Sequence, residues 1–206
     1  MTKVWYTADM HFGHARIIEL CGRPFASVEE MDQALIDNFN AVVADDDILW
    51  ILGDLALGRL DDSLAKVAQL KGRKRLIPGN HDRVFEGYSS KGVKARDTER
   101  YEAAGLTIYS HSVVNRFGWT LCHFPDQGDS GDDERFGQYR PTPKPHRLLV
   151  HGHVHEKWKS RGHRVNVGVD VWDFKPVPEE TLIEYQKAVT LAALMTEAVS
   201  SATTMK

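Results

Sequence analysis

Residues 47–52 read Asp-Ile-Leu-Trp-Ile-Leu and stop at Gly53-Asp54. This apolar run is too short for a core helix and suits a buried strand. Two other runs behave alike. Residues 3–8 are β-branched and aromatic and stop at Asp9-Met10-His11, while residues 75–77 stop at Pro78-Gly79-Asn80-His81-Asp82. Between them lie helical patterns. Ser27 with Glu30 three residues on gives a capping-box pattern ahead of Met31, Leu35, Ile36, Phe39 and Val43, a helix with one apolar stripe. Asp61 is expected to cap a shorter helix through Leu64, Val67, Ala68 and Leu70, closed by Gly72. Strand, helix, strand, helix, strand is the order of a layered α/β fold, in which sites collect at the carboxyl ends of the strands.

The second half is denser in β pattern. Strands are expected over 106–109, 113–115, 119–124, 148–151 and 164–169, then a helix from Glu179 to about Met195. Residues 126–146, rich in Asp, Gly and Pro, form a long segment that begins just past His123, which suits a loop beside an active site. With 206 residues and 42% hydrophobic content the chain can fill one core, so a single domain over 1–195 is expected, with 196–206 as a flexible tail. Val189, Leu191, Leu194 and Met195 suit packing on the core or on another subunit, and the oligomeric state is left open.

Composition removes several function classes. A net charge of −3 gives no basic excess, which weighs against stable binding to duplex DNA. Cys21 and Cys122 are too few for a disulfide framework. No signal-like segment opens the sequence and no apolar run reaches the length of a membrane span. A soluble cytoplasmic protein without membrane partners is the expectation.

Five motifs carry the chemistry: Asp9-Met10-His11, Gly53-Asp54, Gly79-Asn80-His81-Asp82, the isolated His123, and Gly152-His153-Val154-His155. Singly, each has an ordinary explanation, such as a turn, a surface pair or a core histidine. Together they make a set of divalent-metal donors, four of the five motifs at a strand end. In extended chain residues i and i+2 point the same way, so Asp9 and His11 can share an ion, and His153 and His155 can face a common site. Cys122 adjoins His123 on a strand and should point to the other face. The remaining carboxylates, imidazoles and amide oxygen suit Mn, Fe, Zn or Ni rather than a soft metal. Two divalent ions, offset by Asp9, Asp54 and a bridging hydroxide, leave a site of about +1 that attracts a phosphate.

In this order the motifs resemble the calcineurin-like metallophosphoesterase superfamily, and the resemblance runs from Asp9 to His155. The opening Asp-Met-His-Phe-Gly-His and the later 165–173 stretch are similar to its small single-domain bacterial and phage members. The resemblance implies a four-layer αββα sandwich, two mixed sheets flanked by helices, with the site at the strand ends. It implies two divalent metal ions, manganese favoured for activity. Asp9, His11, Asp54 and His155 would hold the first, and Asp54, Asn80, His123 and His153 the second, with a hydroxide between the ions as nucleophile. His81 would stand over the phosphate and protonate the leaving oxygen, and Asp82 would orient it. The chain departs from the pattern at Leu57, where many members carry Asn or Asp.

The expected activity is hydrolysis of nucleotide diesters or 2′,3′-cyclic nucleotides. A phosphomonoesterase or protein phosphatase, a DNA exonuclease and a non-catalytic scaffold are the alternatives. His14 and His151 are candidate supports or substrate contacts. His111, His146 and His163 read as ordinary, and Arg135, Arg140, Lys144 and Arg147 as solvated loop charges.

Overall fold

The computed structural model describes residues 2–87, 91–127, 136–142 and 144–204, without the side chains of 91–93 and 197–204. Residues 128–135 and 143 of the expected active-site loop, Arg135 among them, lie outside the described residues.

The three runs that open the chain become β1 (Val4–Thr7), β2 (Ile48–Ile51) and β3 (Arg73–Leu76), joined by β4 (Leu106–Ile108) in one parallel ladder. β10 (Val177–Pro178) closes this sheet antiparallel to β1, giving the order β10-β1-β2-β3-β4. The second sheet contains β5 (Ser112–Val114), β6 (Thr120–Cys122), β7 (Leu149–His151), β8 (Ser160–Arg161) and β9 (Arg164–Asn166), in the order β5-β6-β7-β9-β8. It is parallel at its centre and antiparallel at both edges.

Strand alternation sorts the first sheet into two faces. Trp5, Leu49, Ile51 and Leu76 pack with Leu35, Phe39, Leu64 and Tyr101. These come from α2 (Val28–Asn40), α3 (Leu60–Val67) and α4 (Lys91–Ala103). Tyr6, Trp50, Leu52 and Ile77 face the second sheet and meet Trp119, Leu121, Val150 and Val165. The fold is therefore two mixed sheets with flanking helices, as the resemblance implied. A last helix, α5 (Glu179–Thr204), packs Leu182, Ile183 and Val189 against the inter-sheet core. Leu191, Leu194 and Met195 remain exposed. The helix continues to Thr204 instead of ending near Met195, because this alanine-rich stretch has no Gly or Pro to stop it.

Local chemistry explains the helix starts. Ser27 Oγ accepts from the Glu30 amide at 3.1 Å, and Glu30 returns a carboxylate oxygen to the Ala26 amide at 2.8 Å. Asp61 is not a cap. α3 begins at Leu60 after Arg59, and Asp61 sits with Asp62 in its first turn, where negative charge suits the helix N-terminus. A short helix, α1 (Arg16–Cys21), follows the first motif; six residues are too few for a periodic signal.

Candidate metal centre and active site

Beyond β1, β2 and β7 the backbone turns sharply. Asp9 and His11, past β1, have φ of 57° and 53°, Asp54, past β2, has 52°, and His153 and His155, past β7, have 72° and 48°. Left-handed backbone is uncommon for residues with a side chain, and costs ~1–3 kcal/mol each unless the surroundings fix it. The side chains therefore do not converge through the extended i, i+2 geometry expected from the sequence. They converge because tight turns aim them inward. The two sheets also meet here: Ala8 donates to the Val167 carbonyl at 3.0 Å and accepts from the Val169 amide at 3.1 Å.

Among the described residues two groups of donor atoms meet at Asp54, and a third, of Cys21, His155 and Glu156, lies beside them toward the surface. One oxygen or ring nitrogen from each of Asp9, His11, Asp54 and His155 lies within 4.8 Å of the others, and the same holds for Asp54, His123 and His153. Asn80 Oδ1 joins the second group, 3.1 Å from His123 Nε2. Asp54 belongs to both. Its Oδ2 is 3.8 Å from His11 Nε2 and 3.4 Å from His123 Nε2.

The glycines of the motifs are there because of close approach. A Cβ on Gly152 would come within 2.7 Å of Asp9 Oδ2, and one on Gly79 within 2.6 Å of the Asp54 amide. Asp82 is fully buried. Its Oδ2 accepts from the amides of Asp54 (2.9 Å) and Gly79 (2.8 Å), and its Oδ1 from that of Leu55 (3.1 Å). With the carboxylate engaged by three backbone N–H groups, it braces the turn that presents Asp54. His81 is tied to Asp54: its amide donates to Asp54 Oδ1 at 2.9 Å and its Nε2 lies 4.0 Å from Oδ2.

The donor set fits divalent cations. His123 Nδ1 donates to the Leu52 carbonyl at 2.8 Å, which leaves the Nε2 lone pair facing Asp54, Asn80 and His153. His11 Nε2 and His155 Nε2 stand 3.2 Å apart, a spacing that lets one cation bind both rings together with the carboxylates. Burial pushes the Asp9 carboxyl up to about 6 against the pull of His155 and His123. Burial also holds His11 well below its ordinary value. Burial works against ionisation of Asp54 as well, but His123, His11 and His81 outweigh it and hold this carboxyl well below the usual range. Buried carboxylates beside imidazoles are the ligand chemistry of Mn, Fe, Zn or Ni.

The sequence profile of the calcineurin-like phosphoesterase family matches residues 2–175. The chain belongs to the calcineurin-like phosphoesterase family. Members act on phosphate esters with divalent metals, and both donor groups suit that chemistry. Among its relatives is the Gene 66 protein of Mycobacterium phage L5, 33% identical over 193 residues that cover 84% of this chain and 88% of the phage protein. The protein MJ1445 of Methanocaldococcus jannaschii is 31% identical, over 89% of this chain and 91% of its own length. In fold the chain is similar to AQ665 from Aquifex aeolicus, with a TM-score of 0.64 at 24% identity, covering 89% of this chain and 99% of that one.

The remaining histidines of this calcineurin-like chain divide. The His14 ring lies 5.5 Å from that of His11, at the edge of the first donor group. His151 is buried. Its Nδ1 donates to the Gly152 carbonyl at 2.7 Å and its ring packs on Trp158, so it supports the turn before His153. Arg140 is not a solvated loop charge, since its Nη1 donates to the Pro125 carbonyl at 2.8 Å. Sequence reasoning missed Cys21 and Arg23, which back onto the first donor group from the end of α1. Among the described residues no helix is long and apolar enough to cross a membrane.

Proposed function

We propose that this chain is a binuclear metal-dependent phosphodiesterase acting on nucleotide diesters or 2′,3′-cyclic nucleotides, with residues 1–195 as its catalytic domain. The observation that carries the reading is Asp54, whose carboxylate is common to two donor groups. In this reading Asp9, His11, Asp54 and His155 hold one ion, and Asp54, Asn80, His123 and His153 hold the other. When bound, such a pair supplies Lewis acidity toward the phosphoryl oxygens and makes water acidic enough to attack at neutral pH.

The chain's own residues do the rest. His81 stays outside the donor groups with its side chain 42% exposed, so its ring stands at the mouth of the site, where a phosphate would lie. There it protonates the departing oxygen and stabilises charge developing on the phosphoryl group. The hydrogen bond from its amide to Asp54 fixes its distance from the ions. The exposure of His81 and His155 among the described residues supports the diester preference, because a phosphate substituted on two sides needs room on both. His81 and His155 both reach solvent.

The test is the metal-depleted protein, reloaded with Mn, Fe, Zn or Ni singly and assayed against mono-, di- and cyclic phosphate esters. Diesters and cyclic nucleotides should turn over fastest, with manganese giving the highest rate. Faster monoester hydrolysis would overturn the diester assignment. Tight binding of two ions without turnover of any ester would make the protein a scaffold.

A further inference from the structure

Two side chains outside every motif back onto the first donor group from one place, the end of α1. Gly22, at φ 61°, caps that helix and turns the chain, and its neighbours Cys21 and Arg23 both point toward the strand ends.

Arg23 is 4% exposed, and its guanidinium fork is fully used. Nη2 donates to the Asp9 carbonyl at 2.7 Å and Nη1 to the Met10 carbonyl at 3.1 Å. Nε and Nη2 grip the two carboxylate oxygens of Asp170 at 2.7 and 2.9 Å. Among the described residues, no backbone amide donates to either carbonyl, because the turn at Asp9 takes both out of the strand ladder. The strained turn that aims Asp9 and His11 inward is thus held from behind by one arginine, itself held by one buried carboxylate.

Cys21 does the corresponding work for His155. Its Sγ lies 3.2 Å from His155 Nδ1, while Nε2 of the same ring faces His11 and Asp9. If Nδ1–H donates to the sulfur, the Nε2 lone pair is left for an ion, the arrangement by which an outer partner fixes the tautomer and angle of a ligating histidine. A Glu156 carboxylate oxygen lies within 4.8 Å of the same sulfur.

We propose that Arg23 and Cys21 are positioning residues for the first ion: Arg23, braced by Asp170, fixes the Asp9–Met10 turn, and Cys21 fixes the His155 ring. The proposal rests on the metal reading above. It adds that the two ions are supported differently, since the hydrogen bonds of Arg23 and Cys21 reach Asp9, Met10, Asp170 and His155, on the side of the first group.

The test is a titration of the metal-depleted full-length protein with Mn²⁺, followed by electron paramagnetic resonance of the free ion. It is run on the wild type, Arg23→Lys, Asp170→Asn, Cys21→Ala and Cys21→Ser, with thermal unfolding of each metal-depleted form alongside. The wild type should take up two ions. Each variant should lose ~10–100-fold in affinity for one ion and keep the other. Cys21→Ser should recover part of the loss, because a hydroxyl can also accept from Nδ1–H. Unchanged affinity for both ions in every variant would overturn the proposal and leave the two-metal reading standing. So would equal weakening of both ions in step with a lower unfolding temperature, the mark of a merely structural role. A third equivalent of Cd²⁺ that disappears in Cys21→Ser would make Cys21 itself a ligand and refute the positioning role. Fewer than two ions in the wild type would remove the metal reading and the proposal together.

Discussion

Asp82 Oδ2 accepts the backbone N–H of Asp54 at 2.9 Å, so one buried carboxylate sets the bend from which the other projects. The same side chain also satisfies the amides of Gly79 and Leu55. Asp82→Ala would leave three buried donors without an acceptor, at ~1–3 kcal/mol for each group. We expect a fall of roughly 3 kcal/mol or more in chemical denaturation, with metal content falling alongside. A variant of native stability and full metal content, slowed only in turnover, would give Asp82 the role of orienting His81.

Asp54 is the residue whose loss should reach both ions. Asp54→Ala should therefore abolish activity and deplete both metals, whereas His155→Ala should deplete one. Elemental analysis of the two purified variants makes the comparison. Full occupancy in Asp54→Ala would mean that the shared carboxylate does not bridge.

β1, β2 and β3 were legible because each stops at a polar motif, as β2 does at Gly53-Asp54, whereas the two-residue β10 leaves no pattern. α4 was not legible: Lys91–Ala103 is strongly polar with almost no apolar stripe, and it is held mainly by the burial of Tyr101 and its neighbour Ala104. The donor residues were legible as motifs, but the reason for their convergence was not, since left-handed backbone at Asp9 or His153 leaves no mark in residue type. Cys21 and Arg23 were invisible for a different reason. Their partners His155 and Asp170 lie 134 and 147 positions away, so only the closed fold brings them together.

Far from the site, Asp47 ties the start of the first sheet together. It accepts from the Lys3 amide at 2.7 Å, from Trp5 Nε1 at 2.9 Å and from the Ala44 amide at 3.0 Å. Burial alone would raise its carboxyl pKa, but these donors outweigh burial and hold it below the ordinary value. A depressed folded-state pKa means that the stabilisation is complete above the unfolded value of about 3.9 and is lost as pH falls through the lower folded value. Asp47→Asn should thus be less stable than wild type in urea unfolding at neutral pH, and the gap should narrow below about pH 4. Metal content should not change. A gap that stays constant down to acid pH would show that the charge on Asp47 contributes nothing.

The last prediction separates the two tasks assigned to His81. A nitrophenolate leaves without a proton, whereas a ribose alkoxide needs one as its bond to phosphorus breaks. If His81 supplies that proton, His81→Ala should slow a nucleotide diester far more than a nitrophenyl diester, since general acid catalysis is worth ~10²–10⁴-fold. If it acts only on charge at the phosphoryl oxygens, both substrates should slow by similar factors. The geometry allows both, because the ring stands 4.0 Å from Asp54 Oδ2 and open to solvent, outside either donor group. Metal content should stay near that of the wild type for the same reason. Equal wild-type to variant rate ratios for the two esters would remove the acid role. Lost metal would instead place His81 among the ligands, and the second donor group would then need redrawing around it.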